Sequence, residues 1–437
     1  MKDKSNNKKM IFEKYLKMLS MTKLRSLILR FIKGVFSLSK GLWRAILACG
    51  TLLSVVRALS KAKVFVMLEA GGFGHTITTV DLARRMFPTE DITFLMFCGK
   101  GRYNKYTTCI WTKNINIYFC ELEWTKLWYT ALPVIAKLIC SPFLNKNSIV
   151  FWNLAELHNE ARRFSPSSST LIPRNLNCDW VTGYFRIIDS SENLPKPCMP
   201  KGLVEQVEQA LELTGREKIA SFYLRNKGGD ITSHTRSGSA LSDYLDACSL
   251  LLENGYTICI TGDIEDAETA HHMYGKVLTK SDALSKGVDA YLFQLYAVFK
   301  ANICITDSGG GAWLPMVLSK PQLCINAFPF WYAMRGAWVY PKRVLTASAK
   351  RLTSSDLFTK LLYMHDVGQG NTLESNSSTD ISDAVREFVG RIELADTAVK
   401  EYQFAGLRPG WYESSEARIL TTWFSQGDLE DPFWVSN

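Results

Sequence analysis

Several motifs that would mark common catalytic or binding classes are missing from the 437-residue chain. Eleven cysteines are present, yet none forms a Cys-x-x-Cys pair and one is left over, so neither a zinc ribbon nor an even disulfide framework is supported. That usage fits a reducing compartment. No Gly-x-Ser-x-Gly string occurs, and His271-His272 lacks a His-Glu-x-x-His setting, which removes hydrolase-elbow and zincin readings. Adjacent helical histidines do not face one ligand. There is no Asp-x-Asp, so a cation held under a diphosphate by paired carboxylates finds no support, and no metal site is expected. A P-loop, a strict Gly-x-Gly-x-x-Gly and a solenoid repeat are likewise missing. The most apolar early run, 45–56, lies between Arg44 and Arg57 and falls short of the roughly 20 residues a membrane span needs. Residues 1–60 also lack the short basic, apolar and small-residue pattern of a cleaved secretory signal.

What is present is the composition of a folded protein: 47% hydrophobic, 21% charged, 28 Gly and 14 Pro. The length predicts two or three domains of about 150 residues. The net charge of +9 is unevenly placed. Residues 1–63 hold fifteen Lys and Arg against Asp3 and Glu13, a net of +13, while the remainder carries 36 basic and 40 acidic residues. A mildly acidic body argues against a nucleic-acid groove, and no nucleic-acid partner is expected. Within the basic segment Leu24, Leu27, Ile28, Phe31, Val35 and Phe36 recur at helical spacing beside Lys23, Arg25, Arg30 and Lys33. This amphipathic pattern predicts an arm, residues 1–62, lying on an anionic membrane surface without crossing it; a helix packed on the body is the alternative.

From Lys63 the pattern becomes a buried strand (64–69), a glycine turn and a helix (75–86), followed by strand-like runs at 92–97, 115–120 and 149–154. A helix is expected over 124–138. Residues 165–200 hold five of the 14 prolines and a serine triplet, which places a domain junction there or just after it. A second alternation follows, with strands at 219–224, 256–261, 302–306 and 322–326 and helices at 240–253, 289–301 and 312–319. Strands alternating with helices predict mainly parallel sheets, so the fold class is α/β. The expected division is an arm 1–62, a first domain 63–205, a second domain 206–395 and a helical tail 396–437.

Open parallel sheets bind ligands beyond the carboxyl ends of their strands. Four loops occupy such positions. Gly71-Gly72-Phe73-Gly74-His75 joins a strand to a helix, either as a plain turn or as an anion cradle whose glycines admit close backbone approach. Asp307-Ser308-Gly309-Gly310-Gly311 has the same setting, and a helix entry needs a cap but not three glycines. Arg225-Asn226 follows a strand and presents a guanidinium suited to phosphate, and it reads equally as a surface Arg. Gly262-Asp263 follows another and reads equally as an ordinary turn. His75 adjoins the first glycine turn and has the pKa range of a general base, with Glu69 and Asp81 as substitutes; a helix-capping or diphosphate-contacting role is the alternative. Phe328, Phe330, Trp331, Tyr332 and Trp338 offer stacking surfaces or core.

Taken together, Phe222-Tyr223-Leu224-Arg225-Asn226, Tyr244 through Gly262-Asp263, Thr306 through Gly311 with Pro321 and Asn326, Asp380-Ile381 and Arg408-Pro409-Gly410 carry a resemblance. The chain resembles a GT-B glycosyltransferase, and more narrowly a bacterial group of glycosyltransferases linked to surface-polysaccharide synthesis. The resemblance implies two Rossmann-like domains facing across a cleft, acceptor mainly on the first and nucleotide-sugar donor mainly on the second. It implies donor binding by Arg225, Asn226, Gly262, Asp263, Asp307 to Gly311 and Asn326, and acceptor binding beside Gly71 to Gly74. It further implies a tail crossing back onto the first domain. Metal-independent transfer to a surface glycan or lipid-linked acceptor on the cytoplasmic face of the membrane is the resulting expectation, with no cofactor beyond the donor substrate. The Asp307 to Gly310 string also looks like the diphosphate loop of UDP-N-acetylglucosamine 2-epimerases, so an epimerase is one alternative. A non-catalytic assembly protein on a degenerate GT-B fold is the other.

Overall fold

The computed structural model describes residues 55–69, 72–99, 103–122, 134, 137–164, 179–225, 240–262, 276–328, 334–352, 370–393, 402–404, 418–423 and 434–436. The arm before residue 55 and most of the helix expected over 124–138 lie outside them.

The first unit is a parallel sheet of β1 (Val64–Glu69), β2 (Ile92–Gly99), β3 (Ile115–Leu122) and β4 (Ile149–Phe151), in the order β3-β2-β1-β4. Side chains alternate across a strand, so β1 feeds two cores. Val64, Val66 and Leu68 join Ile77 and Val80 of the helix Phe73–Met86. Phe65 and Met67 face the other way and join Val55 and Leu59. Both faces are covered, which is why β1 reads as a continuous apolar run in the sequence.

The second unit contains β5 (Lys218–Leu224), β6 (Tyr256–Gly262), β7 (Val277–Leu278), β8 (Ala301–Asp307), β9 (Gln322–Ala327) and β10 (Trp338–Pro341). Beyond these come β11 (Arg343–Leu345), β12 (Thr372–Glu374), β13 (Tyr402–Phe404), β14 (Arg418–Ile419) and β15 (Trp434–Ser436). The seven-stranded sheet runs β14-β10-β9-β8-β5-β6-β7 with every pair parallel. Central β5 and β8 are bordered by the helix Ala290–Lys300, which buries Leu292, Phe293, Leu295, Tyr296, Ala297 and Val298. Parallel strands need long crossovers, and helices such as Leu245–Glu253 and Ala290–Lys300 supply them.

The carboxyl ends of the two sheets face each other. Glycine permits the closest approach: a Cβ on Gly74 would lie 2.4 Å from the Gly310 Cα. Around this contact Trp180 and Tyr184 of Asp179–Ser190 stack on Trp313, with ring centroids 6.0 and 6.3 Å apart. Asn104 donates to the Tyr291 carbonyl at 2.8 Å, and Lys105 pairs with Asp289 at 3.0 Å. One apolar cluster runs through both units, from Val64 to Trp423. Two Rossmann-like parallel units meeting at their strand ends form the GT-B arrangement.

Two organisational expectations meet a different geometry. The 205/206 division falls inside the helix Lys201–Ala210, whose Glu208 pairs with Lys300 at 2.9 Å and so ties that helix to the second unit. Residues 418–423 of the tail lie with the second unit, and most of the rest of the tail lies outside the described residues. Arg418 and Ile419 extend that unit's sheet beside Trp338 and Val339, and the buried Trp423 indole donates to the Pro341 carbonyl at 3.0 Å. An unpaired edge at β10 and a large ring in need of both burial and an acceptor account for that choice. The tail's described pieces 402–404 and 434–436 form an antiparallel pair of strands, not helix.

Candidate functional site

Asp307, at the last position of β8, organises the donor side. Its carboxylate accepts the Arg225 backbone N–H at 2.9 Å and the Tyr244 hydroxyl at 2.7 Å, so it pins the end of β5 to the end of β8. Tyr244 in turn accepts from Asn326 Nδ2 at 3.3 Å, and Asn326 Oδ1 accepts from both the backbone and the side chain of Asn376 at 3.0 Å. Asn326 adopts a φ of 53°, a left-handed conformation that asparagine tolerates better than most residues. Burial pushes the Asp307 carboxyl up to about 6, while the Arg225 N–H, Tyr244, the Lys342 charge and Asn326 oppose the rise. Burial and the Asp307 charge hold the Tyr244 phenol well above its ordinary range.

The consequence is the position of Arg225 against the glycine loop. A Cβ on Gly309 would sit 3.3 Å from Arg225 Nη1, and one on Gly311 would meet the Tyr223 ring at 2.2 Å. Each of the three glycines is therefore used: Gly309 lies under Arg225, Gly310 against Gly74, and Gly311 under Tyr223. Ser308 is buried, and its Oγ accepts from the Phe328 N–H at 3.2 Å. Gly262 ends β6 at a φ of 101°, where a Cβ would lie 2.1 Å from the Leu224 carbonyl oxygen. The Lys280 ammonium donates to the Gly262 carbonyl. A cleft beyond β6 and β7 is lined by Leu241, Ile260, Gly262, Thr279, Lys280 and Ser281.

Across the contact, Gly72 precedes the helix Phe73–Met86 and His75 projects from its first turn, exposed. Thr78 donates to the Gly74 carbonyl at 2.9 Å, which holds the turn. His75 is close enough to His158 to act on it electrostatically. His158 lies flat on Trp180, ring centroids 3.9 Å apart, and burial, Arg162 and His75 lower its pKa to about 3. An imidazole that stays neutral therefore neighbours the exposed one.

Asp81 is placed elsewhere. It is fully buried, with Arg84 Nε at 2.7 Å, Arg85 Nε at 2.6 Å and the Tyr184 hydroxyl at 2.5 Å from its oxygens. It braces Phe73–Met86 against Asp179–Ser190, and no acceptor hydroxyl reaches it there. The Glu69 side chain and residues Gly71, Asn226 and Asp263 lie outside the described residues, as do Phe330, Trp331 and Tyr332. Phe328 is core, fully buried, and Trp338 is buried under Arg391. Among the described residues no three His, Cys, Asp or Glu side chains converge as a metal site would need.

Sequence reasoning carried Tyr223 only inside the Phe222 to Asn226 motif and missed Lys280, Lys342, Asn376, His158 and Trp180 as parts of this region. Lys280 and Lys342 did carry a signal, since both follow short strands at the same end of the sheet. The others are assembled from distant segments.

No protein-family description and no curated protein matches the chain. Solved structures resemble it distantly. A glycosyl transferase family 9 protein from Veillonella parvula is 14% identical, covers 76% of this chain and 98% of its own, and superposes with a TM-score of 0.48. E. coli ADP-heptose lps heptosyltransferase II is 11% identical over 77% of this chain and 100% of its own, with a TM-score of 0.36. The E. coli glycosyltransferase TibC is 8% identical over 77% of each chain, at 0.37.

Proposed function

We propose that the protein is a glycosyltransferase that moves a sugar from a nucleotide-diphosphate donor to a surface-glycan or lipid-linked acceptor. The observation that carries the reading is Arg225 lying over Gly309, with the backbone of β5 and β8 tied together by Asp307. A guanidinium beside an unshielded glycine backbone at parallel-strand ends suits a diphosphate, which needs charge and N–H donors together. The cleft beyond β6, beside Gly262 and Lys280, is a site for the nucleoside.

In the mechanism this supports, Arg225 and the Ser308 to Gly310 backbone stabilise the charge that develops on the departing diphosphate, in place of a cation. His75, on the opposite side of the contact, removes the proton from the acceptor hydroxyl as it attacks the anomeric carbon. Gly72 to Gly74 leave the acceptor room to approach. Residues 1–62 hold the enzyme on the anionic inner face of the membrane, near lipid-linked acceptors. Among the described residues no helix is long and apolar enough to cross a membrane.

The test is a binding screen of nucleoside diphosphates and their sugars, read by thermal shift and titration calorimetry. At least one should raise the melting temperature, and Arg225→Ala should weaken that ligand by about tenfold to a hundredfold, the range for a lost charged hydrogen bond, with the fold intact. Unchanged affinity in Arg225→Ala would refute the diphosphate site.

A further inference from the structure

Val134, Leu138, Ile139 and Phe143 are all exposed, Leu138 at 71% and Phe143 at 50%, within residues 134–143. Scattered apolar residues on a surface need no explanation, but four in one short segment do. Residues 137–140 are helical, and Leu138 and Ile139 are exposed on them while Cys140 is buried. Phe143 follows on the turn Ser141–Phe143. The segment is seated, not frayed: Cys140 is fully buried and packs with Val55, Leu59 and Phe65, and Leu144 leans on the same cluster.

Charge within this segment has one sign. Residues 134–149 contain Lys137 and Lys146 and no Asp or Glu. The neighbouring segment 55–63 is tied to it, since Ser148 Oγ donates to the Ala62 carbonyl and the Ile149 N–H to the Lys63 carbonyl, both at 2.8 Å. That segment exposes Arg57, Lys61 and Lys63. It is also where the strongly basic residues before position 55 join the body.

We infer that the exposed apolar side chains Leu138, Ile139 and Phe143, with their border of Lys61, Lys137 and Lys146, form a membrane-contact surface of the body itself that inserts Leu138 and Phe143 into an anionic bilayer. The charge selects the occupant. The chain's own residues 1–54, net +10, are repelled by the same lysines, and a second copy would bring identical cations across the contact. An anionic lipid surface attracts all of them, and apolar side chains anchor what electrostatics brings close. The inference rests on the proposed peripheral placement and is independent of the transfer reaction.

Flotation of the full chain with phosphatidylcholine vesicles, with and without phosphatidylserine, tests it. The wild type should float with the anionic vesicles. Combining Leu138→Asp with Phe143→Asp should lower that affinity about tenfold although the arm is intact. Lys61→Glu with Lys146→Glu should weaken binding at low salt and have little effect at high salt. Both pairs should keep the wild-type melting temperature and nucleotide affinity, because these side chains are exposed, and this separates lost membrane contact from misfolding and from failure of the transferase reading. A wild type that ignores anionic vesicles, or an aspartate pair that floats like wild type, overturns the inference. So does ultracentrifugation showing a vesicle-free dimer that the aspartate pair abolishes, because a second copy then covers the face.

Discussion

Replacing Gly74 by alanine adds one methyl group at the point where the two units touch. Its Cβ would lie 2.4 Å from the Gly310 Cα, 2.8 Å from the Gly310 oxygen and 3.0 Å from the Gly310 carbonyl carbon. Ordinary contact begins near 3.4 Å, so about 1 Å of separation is required, and the opposing atoms are backbone with no rotamer to yield. Either the turn before Phe73–Met86 distorts or the glycine loop of β8 retreats. Overpacking of this kind costs about 1–3 kcal/mol. The larger effect falls on turnover. The displaced loop is the one under Arg225, His75 is the next residue on the other side, and a misplacement of about 1 Å between reacting groups can cost on the order of a hundredfold in rate. Gly72→Ala is the control, since nothing lies within 4 Å of its added Cβ and its φ of 164° is extended backbone open to any residue. Melting curves and kcat on the donor found by the binding screen are the assays. Gly74→Ala should melt a few degrees lower with turnover reduced about a hundredfold, and Gly72→Ala should keep the wild-type melting curve. A Gly74→Ala enzyme with wild-type melting and turnover would show that the close glycine contact does not set the geometry of the site.

Asp81→Asn should destabilise the protein by about 3–5 kcal/mol, because it strips the charge partner from Arg84 and Arg85, while His75→Ala should lower kcat by at least about a hundredfold with stability and donor affinity retained. Calorimetric melting with single-turnover kinetics separates the two, and the opposite assignment would make Asp81 the base. The Asp307 carboxyl is raised from 3.8 to about 6, so the native state holds a proton the unfolded chain has released across that window, and stability falls as pH rises through it. Asp307→Asn removes this slope: relative to wild type it should gain stability between about pH 4 and pH 7, by up to about 3 kcal/mol, in urea titrations. Parallel curves for the two proteins would exclude the burial argument. Turnover should survive EDTA, and loss on chelation restored by Mg²⁺ or Mn²⁺ would replace Arg225 with a cation in the mechanism.

The sequence alone determined the alternation of strands and helices, because a doubly covered parallel strand must be apolar along its whole length and such runs stand out against their loops. β1, β5, β6, β8 and β9 were all legible in this way, with ends within two residues of those observed. It also determined that four loops share the carboxyl side of the strands, since every parallel strand points the same way. Tertiary structure decided which of those loops meet. Gly74 touches Gly310 across a separation of more than two hundred residues, and nothing local to either glycine announces the other. It decided that Asp81, a plausible acid on paper, is consumed by Arg84, Arg85 and Tyr184, the last of which arrives from a helix a hundred residues away. Asp307 shows the same limit from the other side. Its place at a strand end was readable, but its role as the bolt between β5 and β8 depends on the Arg225 N–H and the Tyr244 hydroxyl, which only the sheet order brings together. Local pattern is set by the burial of neighbouring residues, whereas the chemistry of a site is set by contacts between segments whose separation in the chain leaves no local trace.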